Sequence, residues 1–265
     1  MLEESTVPAN PLAPEAAAGK VAVVTGASSG IGRATVHALA ATGWRVYALA
    51  RREDRLATLA AETGAHPITC DVTNEDSVTE AAAYIIGHER RVDALINIAG
   101  GALGVDSVAK GEPADYLAMY RVNVLGILHT VRAFAPVLRE NRAGTILNLT
   151  STAAEHGYEG GAGYNAAKFG ARGVTEALRL EEAEHNVRVI EICPGMVHTE
   201  EFSLNRLGSA EAAAKVYEGV HALSAEDVAQ VVTFAVNMPQ HVNLDRITLR
   251  PTAQASQFKV IRSEQ

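Results

Sequence analysis

The chain has 265 residues, 48% of them apolar and 20% charged, with a formal net charge of −8. That balance describes a globular protein and argues against nucleic acid or an anionic membrane as the main partner. No apolar run reaches the length of a membrane span, no basic-then-apolar leader opens the chain, and two cysteines are too few for a disulfide framework. The expectation is a cytoplasmic protein with a small-molecule partner, in which Cys70 and Cys193 are small buried apolar residues.

Residues 1–18 are rich in Ala, Pro and Glu without periodicity and read as a disordered tail before a fold that begins at Gly19. Val21-Ala-Val-Val has the composition of a buried strand, and Thr25-Gly26-Ala27-Ser28-Ser29-Gly30-Ile31-Gly32 turns the backbone into a helix over 33–41. Free N–H groups and the positive end of a helix dipole at such a turn suit a pyrophosphate, although an ordinary glycine-rich strand–helix loop reads the same way. The glycine spacing is neither GxGxxG nor that of a P-loop. Further strands are predicted over 45–50, 66–69, 92–98, 145–149, 187–192 and 246–249. Helices fall between them over 53–62, 74–88, within 115–139, and over 162–184 and 225–236, with small helices within 200–217. This alternation predicts one α/β domain over 19–265. It is a Rossmann-type doubly wound, mostly parallel seven-stranded sheet with helices on both faces, and its ligands lie at the carboxyl ends of the strands.

The chemistry-bearing residues collect at those strand ends. Tyr164-Asn-Ala-Ala-Lys168 opens the helix after the fifth strand, and its i, i+4 spacing puts phenol and ammonium on one face. A nearby cation stabilises a phenolate and lowers its pKa, yet Tyr and Lys four apart occur on many helices. Ser151 stands thirteen residues upstream, at the end of Thr145-Ile-Leu-Asn-Leu149. Asn123 lies among apolar neighbours in Arg121-Val-Asn-Val-Leu-Gly126, where a buried amide needs partners. Cys70-Asp71-Val72, Asn97-Ile-Ala99-Gly100 and Pro194-Gly195-Met-Val197-His-Thr199 end the third, fourth and sixth strands.

In the order and spacing of these motifs the chain resembles the short-chain dehydrogenase/reductase family, over Gly19 to about Pro251. Its C-terminal part, from Glu201-Phe-Ser through Leu223-Ser-Ala-Glu-Asp227 to His241-Val-Asn243, resembles the NADP-dependent 3-hydroxy acid (serine-type) dehydrogenase branch. The family pattern has a second Asn where this chain has Ile98. The resemblance implies a general acid/base at Tyr164, a Lys168 that holds the nicotinamide ribose and depresses the tyrosine's pKa, and a Ser151 that hydrogen-bonds the substrate oxygen. It also implies an Asn123 that bends its helix and tethers a water chain to Lys168. Cofactor contacts are expected from Gly26, Ser28, Ser29, Gly30, Ile31, Gly32, Asp71, Val72, Asn97, Ala99, Gly100, Pro194, Gly195, Val197 and Thr199, besides Tyr164 and Lys168. Asp71 would take the adenine and Thr199 the carboxamide. A homotetramer is implied too, with the helices within 115–139 and 162–184 between subunits. The small residues Ala166, Ala167, Gly170 and Gly173 either allow that close approach or pack internally.

Cofactor choice is read from the second strand. Where NAD-binding folds place an acid for the ribose 2′-OH, this chain has Arg51 and Arg52, which suit a 2′-phosphate and hence NADP. They are also placed to pair with Glu53 and Asp54 instead. The segment 200–217 is expected to form a helical lid, with Glu201, Phe202 and Arg206 as candidate substrate contacts, and His156 is either a further one or a solvated loop histidine. Arg206 suits a substrate carboxylate, and equally suits a surface position balancing the acids around it. No His/Cys ligand spacing implies a metal. Three readings follow: an NADP-dependent oxidoreductase interconverting a secondary alcohol, such as a small 3-hydroxy acid, and a carbonyl; a broad carbonyl reductase; or a non-catalytic NADP-binding sensor.

Overall fold

A computed structural model describes residues 19–263, so the tail expected over 1–18 lies outside the described residues. The strands are β1 (Val21–Thr25), β2 (Arg45–Ala50), β3 (His66–Thr69), β4 (Ala94–Asn97), β5 (Thr145–Leu149), β6 (Arg188–Pro194) and β7 (Arg246–Leu249). They form one sheet in the order β3-β2-β1-β4-β5-β6-β7, and every pairing is parallel. Because both faces are covered, the central strands are buried along nearly their whole length and largely apolar, and their residues split by alternation. Ala22 and Val24 of β1 enter one core, with Val36, Leu39, Val228 and Val232. Val21 and Val23 enter the other, with Val78, Ile85, Phe134, Leu138 and Leu178. The strand order reverses between β1 and β4, which opens a crevice at the carboxyl edge of the sheet.

The helices are α1 (Gly30–Ala41), α2 (Glu53–Thr63), α3 (Glu75–Glu89), α4 (Pro113–Tyr120), α5 (Gly126–Asn141), α6 (Ala162–Glu182), α7 (Phe202–Leu207), α8 (Ala210–Tyr217) and α9 (Ala225–Val236). The single long helix expected within 115–139 is two helices joined by a π-helical turn, Arg121–Leu125. Asn123 is the reason. Its side-chain amide donates to the carbonyl of Met119, four residues back, at 2.9 Å and to that of Gly101 at 2.8 Å, so the chain widens by one residue there.

The segment 200–217 folds as α7 and α8, separated by Gly208 in the left-handed region. Tyr217 ties them down: its hydroxyl donates to the Val197 carbonyl at 3.0 Å and shares a 2.7 Å hydrogen bond with Ser203, while its ring stacks on His198. Cys70 and Cys193 are buried and free. Among the described residues no helix is long and apolar enough to cross a membrane.

Candidate active site

A cavity of about 940 Å³ runs along the carboxyl edge of the sheet, from β2 across the crevice to the lid. Its floor is the turn after β1. Gly26 has φ +69, and a Cβ there would lie 2.8 Å from the Ala99 nitrogen; one on Gly32 would lie 2.2 Å from the Gly26 carbonyl oxygen. Only glycine lets the turn fold this tightly against β4 and open the start of α1 toward the cavity. The Thr25 hydroxyl locks the two strand ends together by accepting from the Ile98 and Ala99 N–H groups, both at 3.1 Å.

At the β2 end Arg51, Arg52, Ser28 and Ser29 line the cavity, with Asp71 and Val72 beyond β3. Arg52 donates to the Ser28 hydroxyl from Nε (3.1 Å) and Nη2 (2.8 Å) and to the Ser29 hydroxyl at 2.9 Å. Neither Arg51 nor Arg52 pairs with Glu53 or Asp54; the carboxylate on Arg52 is Glu201, at 2.6 Å. An anion thus already stands against the guanidinium that sequence assigns to a phosphate. The Asp71 carboxylate also accepts from the Thr73 N–H and hydroxyl, at 2.9 and 2.8 Å, which fixes its turn. Thr199 packs over Gly30, its methyl 3.3 Å from where a Cβ on that residue would sit.

At the other end Ser151, Tyr164 and Lys168 line the same cavity. Tyr164 lies in the first turn of α6, and the Ser151 hydroxyl caps the short 3-10 turn after β5 by accepting from the Ala153 N–H at 3.1 Å. Burial pushes the Tyr164 phenol well above its usual range; the Ser151 hydroxyl and the Arg206 guanidinium pull it back. Burial also lowers the Lys168 ammonium, to about 8. Lys168 Nζ donates to the Leu149 carbonyl at 3.0 Å and stands over the Tyr164 ring, 5.8 Å from its centre. The Asn123 Oδ1 is buried without a hydrogen-bond partner. It and Lys168 Nζ lie 2.6 and 3.5 Å from where a Cβ on Gly100 would sit, so both face one small space beside the cavity.

Most of the residues expected from sequence line this cavity; Asn97 and His156 stand outside it, and Asn123 and Arg206 stand beside it. Asn97 turns its side chain away from the cavity, donating to Asn148 at 2.9 Å and accepting from Thr130 at 2.8 Å, since its place opposite Asn148 in the ladder aims it at the α5–α6 face. Ile98, Ala99 and Gly100 line the cavity in its place. His156 is exposed outside the cavity, its ring 5.9 Å from that of Phe258. Glu201, expected on the substrate, is drawn to Arg52 and Arg55. Phe202 does reach the reacting end, edge-on to Tyr164 at 5.7 Å. Arg206 lies over the Tyr164 ring at 5.9 Å, with its guanidinium donating to the carbonyls of Gly104 (3.2 Å) and Gly160 (3.0 Å) and to the Tyr158 hydroxyl (3.1 Å).

Sequence reasoning overlooked Asn165. Its amide donates to the carbonyls of Ala153 and His156, at 2.8 and 3.0 Å, and so pins the loop that carries Ser151 onto α6. A buried Asn in the first turn, between the two residues already singled out, was the available signal. Ala102, Leu103 and Met119, also overlooked, form an apolar wall beside Tyr164.

A parallel sheet with a glycine cradle at its switch point, and a buried phenol and amine at the far end of the same cavity, describes a dinucleotide-dependent enzyme. Residues 20–207 match the family model for the short chain dehydrogenases, and the chain belongs to that family of oxidoreductases. It is 48% identical to an uncharacterized oxidoreductase of Mycobacterium tuberculosis, over 89% of this chain and 93% of the relative. Serine 3-dehydrogenase of Rhizobium radiobacter is 36% identical over 91% of this chain and 97% of its own. Among solved structures, the closed form of serine dehydrogenase complexed with NADP+ superposes with a TM-score of 0.86 at 32% identity, covering 92% of this chain and all of that one (100%).

Proposed function

We propose that this oxidoreductase uses NADP to interconvert a secondary alcohol and a carbonyl, that its substrate is a small 3-hydroxy acid, and that it works as a cytoplasmic homotetramer. One observation carries the reading: Ser151, Tyr164 and Lys168 line the far end of the cavity whose near end holds the glycine cradle and Arg51 and Arg52. When bound, NADPH supplies the hydride for carbonyl reduction. Tyr164 gives its proton to the substrate oxygen in that direction and takes it back in oxidation. Burial keeps the phenol protonated at neutral pH, which is the form that donates. Ser151 hydrogen-bonds the same oxygen as charge develops on it. Lys168 holds the ribose, and the unpaired Asn123 Oδ1 receives a water through which the amine recovers protons.

Support for NADP over NAD comes from Arg51 and Arg52 at the tip of β2, where no acid stands. Arg206 supports an acidic substrate: among the described residues it has no carboxylate partner, and it lies directly over Tyr164. Relatives named for serine and for 3-hydroxy acids agree with an anionic substrate. For the tetramer, the support is an exposed apolar face on α4, α5 and α6, with Leu117, Tyr120, Leu128, Phe169 and Leu180 on the surface. Gly173 is open there, while Ala167 and Gly170 pack internally. Free, buried cysteines suit a reducing compartment.

The test is an NADPH- and NADP+-linked absorbance assay over 3-hydroxy acids including serine, neutral secondary alcohols and ketones. Turnover concentrated on the hydroxy acids supports the reading. Preference for neutral ketones replaces it with a broad carbonyl reductase, and cofactor binding without turnover anywhere replaces it with a sensor.

A further inference from the structure

The first residue before the lid helix α7 is tied to the far side of the cofactor cleft. Glu201 Oε1 accepts from Arg52 Nη1 at 2.6 Å and from Arg55 Nη1 as well. Arg55, one turn into α2, was assigned nothing by sequence. The carboxylate is held down to about 2, by Arg52 first and with the Ser29 hydroxyl and Arg55 also contributing. Two guanidiniums, those of Arg52 and Arg55, thus hold one carboxylate, and Arg51 lines the same cavity beside them. Arg51 makes no ion pair among the described residues, and the neighbouring acids Glu53 and Asp54 do not enter the cluster.

These donors outnumber what one carboxylate needs, and they suit a dianionic phosphate better. Arg52 has no spare edge. Its Nε and Nη2 are on Ser28 and Ser29, and its Nη1 is on Glu201. A phosphate ester that engages Arg52 through two N–H groups must displace one of these partners. The serine hydroxyls are neutral and can rotate to donate to a phosphate, whereas a second anion beside it is repelled.

We propose that Glu201 is a resident occupant of the 2′-phosphate site, which the cofactor's phosphate evicts, so that arrival of NADP, and not of NAD, releases the first turn of the lid. Phe202 follows Glu201 directly and its ring lies edge-on to Tyr164 at 5.7 Å, so eviction at the adenosine end is felt at the reacting end. Glu201 is then a specificity-determining residue that sets a threshold: a dinucleotide lacking the phosphate leaves the lid latched.

The inference rests on the NADP reading, and binding of half-cofactors separates the two. Calorimetric titration with 2′,5′-ADP and with 5′-AMP is compared for wild type and Glu201→Gln. The expected result is about tenfold tighter binding of 2′,5′-ADP by the variant, with 5′-AMP changed less than about twofold, the size expected for removing one partly exposed competing charge. Hydrogen exchange of the backbone over 201–207 gives a readout on the unaltered protein. There 2′,5′-ADP should speed exchange and 5′-AMP should not, and the variant should exchange fast from the start. Weaker binding of 2′,5′-ADP by the variant, equal effects on both nucleotides, or slower lid exchange with 2′,5′-ADP would overturn the eviction. If wild type shows no preference for 2′,5′-ADP over 5′-AMP, the NADP reading itself fails.

Discussion

The Lys168 ammonium stands 5.8 Å from the ring centre of Tyr164, one helical turn away, yet gives its hydrogen bond to the Leu149 carbonyl. Burial drives the phenol up and the amine down, so both groups are pushed toward their neutral forms by the same loss of water. The pair is therefore not a preformed ion pair. Arg206 of the lid, 5.9 Å from the ring centre, is a second cation beside the phenol and lowers its pKa.

Removing the phenol oxygen should abolish proton transfer while leaving the cleft intact. Tyr164→Phe keeps the ring that packs against Ala102, Met119 and Phe202. Turnover should fall by about 10²–10⁴, the usual weight of a general acid, or more. NADP should still bind with nearly unchanged affinity, since the cradle and Arg51 and Arg52 are untouched. Steady-state kinetics and a cofactor titration on the same preparation check both halves, and near-normal turnover would remove the assignment.

The buried amine has a consequence for stability. Lys168 is lowered from 10.5 to about 8 in the fold. Below pH 8 it is charged in both folded and unfolded chains, and the folded form bears the full cost of burying it. Between about 8 and 10.5 the unfolded chain holds a proton that the folded one has released, so this residue's contribution rises with pH across that window. The difference corresponds to about 3 kcal/mol, against which the lost hydrogen bond to Leu149 counts about 1 kcal/mol. Lys168→Met, inactive or not, should thus be about 2 kcal/mol more stable than wild type at pH 7. That advantage should shrink above pH 8 and turn into a deficit of about 1 kcal/mol beyond pH 10.5, where only the lost hydrogen bond counts. Urea titrations at the two pH values measure it; a variant less stable at pH 7 would show that the amine is better solvated than its 4% exposure implies.

Much of this was legible in the chain because a parallel sheet demands it. Buried strands must be mostly apolar, each crossover must hold a helix, and the glycines after β1 leave a fixed signature, so the seven strands and the cavity's two ends followed from residue order. What did not follow depends on which way a side chain faces. Asn97 ends its strand as a cofactor ligand would, but the alternation of β4 turns it inward to Asn148 and Thr130. Glu201 sits in the lid as a substrate contact would, but its carboxylate is held by two guanidiniums across the cleft, those of Arg52 and Arg55. The π turn was foreshadowed by one polar residue in an apolar run and by the bend that the resemblance implies at Asn123, while no periodicity distinguishes a helix that gains a residue at its middle.

Asn123 is expected to be structural and functional at once. Asn123→Leu leaves the carbonyls of Met119 and Gly101 without their donor, inside a turn that is π-helical because that donor is there. The cost should be about 1–3 kcal/mol. Asn123→Asp should not recover it at neutral pH, because a carboxylate cannot donate to either carbonyl. If the unpaired Oδ1 tethers a proton-carrying water, both variants should also lose turnover while cofactor affinity holds. Denaturation midpoints, cofactor titration and kcat separate the two effects; full activity in a destabilised variant would leave Asn123 a purely structural residue.

Arg206 discriminates between the substrate classes. Its backbone carbonyl accepts from the Gly104 N–H at 3.0 Å, and its guanidinium spans Gly104, Gly160 and Tyr158. It therefore both closes the lid and presents a positive charge above Tyr164. If that charge receives a substrate carboxylate, Arg206→Ala should raise KM for a 3-hydroxy acid by about 10–100-fold, the loss of one or two charge-assisted hydrogen bonds. A neutral secondary alcohol of the same length loses only the lid contacts and should change much less. Arg206→Lys keeps the charge but, as a compact ammonium, cannot reach all three partners at once, so it should recover part of the affinity for the acid. Equal losses on charged and neutral substrates would mean that Arg206 serves only to fasten the lid, and the hydroxy-acid reading would lose its support from this residue.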